Sequence, residues 1–222
     1  MFMSQVNLNR TSDIGGPLLD NTGRSPQLAF ALLQMELAKA NKDSAMQGIK
    51  EIEAQQAEKK NFADNINLAR DLQSQGMKGS ATQEEYDKII ALSKDYRDRG
   101  WASLPDIDQN LLSKFGLQGP PRGSVSAAVE KWDDIIGKLE KQKTLNDFCD
   151  KHGISMPTST DKSAWDTLIA NMQTKMDTVG ADIQTKMVQL QDFMGQYNGY
   201  MQGANSAIST SNQTLSSLAR GQ

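Results

Sequence analysis

The chain has one cysteine, Cys149, and one histidine, His152, among 222 residues. A lone cysteine closes no internal disulfide. One Cys and one His complete a zinc site only if carboxylates supply the remaining ligands. As a nucleophile and base they would need contact and a third, orienting group. The plainer expectation is a buried cysteine and a surface histidine. Aromatic residues are few and the apolar content is modest, which argues against one large spherical core. No apolar run approaches the roughly 18 residues of a membrane span. The net charge of −3 and the lack of a basic block give no footprint for nucleic acid. The N-terminus lacks the charged-then-apolar pattern of a signal peptide, so export, if it occurs, is not expected through the general secretory route. Gly116–Gly123 is glycine-rich but lacks the lysine and following Ser/Thr of a phosphate loop. Asp133 and Asp134 are adjacent, point to different sides of a helix and read as a solvated face. No catalytic group, cofactor site or metal site emerges, and the sequence points away from an enzyme.

What the chain does have is a long periodic stripe. From Trp165 to Leu218 apolar residues recur at steps of three and four: Trp165, Ile169, Met172, Met176, Val179, Ile183, Met187, Leu190, Met194, Tyr197, Met201, Ala204, Ile208, Leu215 and Leu218. Ser211 interrupts the run, and two successive steps of four near Ile183 read as a stutter. The pattern predicts one helix of roughly 80–90 Å at 1.5 Å per residue. A stripe of that length needs another long helix as its cover, in this chain or a partner. Ile169, Met172, Met176, Val179, Ile183, Met187 and Leu190 are the expected coiled-coil core. Several of the 11 methionines lie on this stripe. Methionine fills irregular gaps and also suits a face that packs against different partners.

A second long stripe lies near the other end: Leu28, Leu32, Met35, Ala38, Ala45, Ile49, Ile52, Ala63, Ile66 and Ala69. Ser25-Pro26 reads as its N-cap and first helical position, and Gly76 and Gly79 as its end. The stripe weakens between Gln55 and Lys60, where only aliphatic stems offer cover. Thr82-Gln83-Glu84-Glu85 is a capping box opening a shorter helix with Tyr86, Ile89, Ile90 and Tyr96 inward. Residues 101–123 read mostly as loop, with a short turn near Leu111–Phe115. Ser124 caps a helix through about Asp150, with Val125, Val129, Trp132, Ile136, Leu139, Leu145 and Phe148 inward, and Thr160 or Asp161 caps the last helix. The expected class is therefore mainly α: a long antiparallel helical hairpin with a small, mostly helical insertion. The expected parts are a disordered leader over 1–24, a first long helix over 25–79, an insertion over 80–160 with a loop at 100–123, and a final long helix over 161–222.

The last helix is nearly free of charge after Asp192, with Gly195, Gly199 and Gly203 at intervals of four. Glycine costs up to about 1 kcal/mol within a helix. The three reflect either close helix approach in an assembly or weak helicity that is simply tolerated.

Two segments carry a resemblance. The stretch QDFMGQYNGYMQGANSAISTSNQTLSSLA from Gln191, with its Tyr197-Asn198 step, resembles the C-terminal helix of the hydrophilic translocators of type III secretion systems. These are needle-tip proteins of the invasion-plasmid-antigen-D and V-antigen kind and the filament protein of attaching-and-effacing pathogens. The first helix, LLQMELAKANKDSAMQGIKEIEAQQ, is similar in texture to the N-terminal helix of the filament branch. The insertion is short and lacks strand patterns, unlike the mixed domain of the larger tip proteins.

The resemblance implies a secreted, non-enzymatic needle-tip or filament subunit at the bacterial cell surface. It implies as partners the needle subunit, the hydrophobic translocators, further copies of itself and a dedicated chaperone, and a polar leader that serves as an uncleaved export signal. The expected contact to needle or neighbouring subunits is Met194, Tyr197, Met201, Ile208, Leu215 and Leu218, beyond the reach of an intramolecular cover. A secreted membrane-active helical effector and an intracellular coiled-coil adaptor are the alternatives.

Overall fold

The computed structural model describes residues 26–78, 81–100, 106–120, 124–157 and 161–221. The leader 1–24 and the roles expected of Ser25, Gly79 and Thr160 lie outside the described residues. Of the described residues 88% are helical, and none is in a strand. Five helices follow in order: α1 (Pro26–Ser74), α2 (Gln83–Asp98), α3 (Asp106–Lys114), α4 (Val125–His152) and α5 (Lys162–Arg220). Long α1 packs against long α5 as a helical hairpin, and α2, α3 and α4 form the insertion.

The chain divides into two compact units. The insertion unit, residues 55–182, contains the large side chains of the core. Trp132, Trp165, Tyr86, Phe62 and Phe115 are all but fully buried there. The turn after α1 organises this core. Gly76 takes a left-handed φ of 69° and ends α1. Its carbonyl lies 2.5 Å from where a Cβ on Gly116 would sit, and Gly116 has φ +76°, so a side chain there is excluded twice over. The Trp165 indole donates to the Met77 carbonyl at 3.1 Å. The Lys78 amide donates to the Phe115 carbonyl at 3.0 Å, and the buried Gln142 amide donates to the Lys78 carbonyl. The starts of α5 and of the α1–α2 connection are thereby fixed to α3 and α4 by buried backbone acceptors, which are costly to leave unpaired.

The capping box is present: Glu85 N–H donates to Thr82 Oγ1, and Thr82 N–H donates to Glu85. With that hydrogen bond from the Thr82 backbone first and Lys114 second, the Glu85 carboxyl is held below its ordinary pKa. Helix α2 lies along α4, with Tyr96 stacked on Trp132 at 5.5 Å between ring centres. Lys94–Glu140, Arg97–Asp133 and Lys143–Asp87 cross between these helices. They are exposed pairs, so the apolar contact beneath holds the helices and the charges set register.

Two local expectations are corrected. The segment read as loop contains the nine-residue helix α3, anchored by buried Leu112 and Phe115. It is too short for periodicity to show and is stabilised by its burial instead. Val125, expected inward, is 63% exposed. It stands at the first turn of α4, where its Cγ1 would lie 2.7 Å from a Cβ on Gly100, so it packs on the glycine that ends α2.

The hairpin unit pairs the start of α1 with the end of α5. Glu51 binds Lys186, and Gln34 lies over Gly203. Moving back along α1 moves forward along α5 by the same number of residues, so the pair is antiparallel and in constant register. On α1 the seam is Ala31, Ala38, Ala45 and Ile52, all buried, alternating with half-buried Gln27, Gln34, Asn41 and Gly48. On α5 it is Ile183, Lys186, Leu190, Phe193, Tyr197, Tyr200, Ala204, Ala207 and Ser211, all buried or half-buried. The pair fits because small residues of α1 face large residues of α5, as close packing requires.

Candidate functional site

The α5 seam corrects the sequence reading in one respect that matters. The apolar stripe was expected to pass through Met187 and Met194 with a stutter near Ile183. The inward positions are instead Lys186 and Phe193, and steps of three and four then run unbroken from Trp165 to Ser211. The stutter disappears and Ser211, the expected interruption, is buried at 3% exposure. Apolar identity misled at these positions because Lys186 is accommodated inward by Glu51. Their contact, with Gln47 also donating, holds the Glu51 carboxyl below its ordinary pKa.

Of the expected coiled-coil core, Met172 and Ile183 are buried, and Ile169, Met176, Val179 and Leu190 are half-buried. Met187 lies at 46% exposure, one residue past the seam. Of the expected interface residues, Tyr197 sits in the seam facing α1, and Met201 and Ile208 are half-buried on its shoulder. Met194, Leu215 and Leu218 are exposed. The register that sets Gln34 beside Gly203 sets Pro26 beside Ser211, so Leu215 and Leu218 extend past the first described residue of α1.

Several of the exposed or half-buried apolar residues fall in rows, whereas exposed Phe30, Leu33, Met46 and Val188 lie off them. Met187, Met194, Met201, Ile208 and Leu215 recur every seven residues along α5, each one position past the seam. On α1, Leu28, Met35 and Ile49 occupy the equivalent shoulder, with Lys42 completing the same spacing. In an antiparallel pair the shoulder following one seam lies beside the equivalent shoulder of the partner helix. Both rows therefore share one side of the hairpin. Near Glu51 the opposite side is polar, with a groove of about 360 Å³ lined by Ser44, Gln47, Gly48, Glu51, Lys186, Gln189, Leu190 and Phe193, whereas towards the start of α1 the same shoulder carries half-buried Leu37 and exposed Phe30. The hairpin thus has one shoulder with heptad-spaced apolar rows and another that is polar near Glu51 and apolar near Phe30.

The apolar side is also poor in charge. No charged residue occurs between Asp192 and Arg220, nor in α1 from Pro26 to Met35. The glycine intervals divide by position. Gly203 is closely packed, since a Cβ there would lie 3.3 Å from Gln34 Oε1 and the glutamine end would have to shift slightly, whereas Gly195 and Gly199 face open space.

The lone cysteine is fully buried, and burial pushes its thiol pKa up to about 12, a poor nucleophile. The described residues hold no cluster of three or more His, Cys, Asp or Glu able to bind a metal. Asp133 pairs with Arg97, and Asp134 with Lys131 and Lys138. No helix among the described residues is long and apolar enough to cross a membrane. No protein-family model, curated protein or solved structure matches this chain.

Proposed function

We propose that this chain is a structural subunit of a type III secretion needle, placed at the tip or in a filament extending from it. The observation that carries this reading is the pair of apolar heptad rows at the surface of the hairpin unit. Met35 and Ile49 from α1, with Met187, Met194 and Leu215 from α5, form heptad rows at the surface that no described element buries. Such rows are the signature of a coiled-coil layer awaiting another helix. The resemblance of the C-terminal helix to the hydrophilic translocators supplies the class. In this reading the chain is non-enzymatic and secreted without cleavage. Its partners are the needle subunit, the hydrophobic translocators, copies of itself and, before export, a chaperone that covers the same rows. At the tip the assembled ring supports insertion of the translocators on host contact.

The test uses a bacterium in which the chain is expressed beside a functional needle complex. The wild-type chain should reach the medium only when the secretion ATPase is active, and immunogold should mark needle ends. Met194→Glu combined with Met201→Glu places charges into the proposed contact. This variant should fold as the wild type by circular dichroism, be exported, and be absent from needles. Retention of the wild-type chain in the cytoplasm would overturn the secretion reading. Export with normal needle decoration by the double variant would move the contact off this face. Leakage from liposomes caused by the purified chain would favour a membrane-active effector instead.

A further inference from the structure

His152 is not the surface histidine the sequence suggests. It is the last residue of α4, directly before the left-handed cap Gly153, and its side chain is only 12% exposed. Its ring packs against Phe148, one turn back on α4, with centres 4.4 Å apart, and against Phe62 of α1 at 4.7 Å. Phe62 and Phe148 meet edge to face at 4.9 Å, so the three rings form a closed cluster. Nδ1 faces the Glu58 carboxylate of α1 at 3.9 Å, beyond hydrogen-bond length. Nε2 is buried and has no hydrogen-bond partner. All these residues belong to the insertion unit.

We propose that this cluster is an acid-sensitive latch that holds the C-terminal end of α4 onto α1 while His152 is neutral and releases it when His152 gains a proton. A neutral imidazole fits the cluster because one nitrogen can stay unprotonated against the rings. The imidazolium carries N–H groups on both nitrogens, and the second would be buried against aromatic carbon without an acceptor. The charges around it pull in both directions. Glu58 on α1 favours the proton, whereas Lys151 on α4 and Lys175 on α5 oppose it. The α4 C-terminus itself favours a cation. Burial outweighs these attractions, and the group sits below the ordinary histidine pKa. The sign follows from linkage. A histidine depressed in the folded state binds its proton more readily once the latch is open. The closed latch is therefore at full strength above the ordinary histidine pKa and weakens as pH falls through and below it. That range lies above the ordinary carboxylate titrations.

The inference does not depend on the proposed role in secretion, and the purified full chain is enough to test it. His152 is the only histidine, so its Cε1 proton gives a single histidine NMR signal. That signal should titrate below the value of an unstructured histidine peptide measured alongside. Thermal melts of the wild type between pH 7.5 and 5.5 should show a Tm that falls on acidification. His152→Phe keeps a ring in the cluster and removes the titration, and its melts should be flat across the same interval. Protection factors around Leu145–Ile154, corrected for the slower intrinsic amide exchange at low pH, should fall on acidification in the wild type alone. An NMR titration at or above the peptide value would overturn the latch, whether or not the variant folds. Parallel loss of Tm in both proteins would do the same.

Discussion

The two units of this chain use the same helices differently. In the insertion unit, tryptophan, tyrosine and phenylalanine are buried, and only one large apolar residue, Val125, is conspicuously exposed among those described. In the hairpin unit the buried hydrophobics are four alanines and two isoleucines: Ala31, Ala38, Ala45, Ile52, Ile183 and Ala204. Leucines, methionines and a phenylalanine stand outside them, from Leu28 and Phe30 to Leu215 and Leu218. Apolar burial drives folding at about 25 cal/mol per Å². The insertion unit spends its apolar residues on its own fold, whereas the hairpin unit keeps its larger ones at the surface. A chain so arranged has one part that buries its large apolar residues and another that leaves many of them at its surface.

The comparison is most exposed to failure through the tryptophans. All three lie between residues 55 and 182, so their fluorescence reports the insertion unit, whereas circular dichroism reports every helix. Trp165→Ala should destabilise the fluorescence-monitored urea transition by about 3–5 kcal/mol, through the lost ring and the orphaned Met77 carbonyl. A loss under 1 kcal/mol would mean that this core is not the main support of its unit. Gln142→Leu removes the buried donor to the Lys78 carbonyl and should cost about 1–3 kcal/mol in the same transition. An unchanged midpoint would show that the turn after α1 holds without it. Thr82→Ala breaks the capping box and should cost about 1 kcal/mol, with faster amide exchange confined to the first turn of α2. Met194→Glu should be the mildest, within about 0.5 kcal/mol by either probe, as for an ordinary surface site. If Met194→Glu unfolds the purified monomer, the shoulder is internal and the contrast between units fails.

The hairpin, its long helices, the capping box and the Ser124 cap were legible in the sequence because each rests on local chemistry or a sustained period. The side of α5 that turns inward was legible only to within one residue. Met187 and Met194 are more apolar than Lys186, and hydropathy alone chooses them. The structure chooses Lys186 because Glu51 receives it and because α1 offers alanine, with room for Phe193 and Tyr200. That complementarity belongs to the pair of helices and is absent from either stripe read alone. The same one-residue displacement moves Tyr197 out of the expected interface into the seam, while Met194, Met201, Ile208 and Leu215 of that interface fall in the shoulder row. Helix α3 and the His152 cluster were invisible for another reason: both depend on residues distant in sequence, Tyr86 against Phe115 in the one and Phe62 against His152 in the other.

A seam of repeated alanines has a weakness of its own. Ala31, Ala38 and Ala45 are identical steps seven residues apart, so a slide of α5 by one heptad along α1 would still find alanine opposite its large residues. Sliding towards the start of α1, however, would take Lys186 from Glu51 to Ser44 and strand its charge against a hydroxyl. The ion pair of Glu51 and Lys186 therefore marks the register of this seam against a slide in that direction.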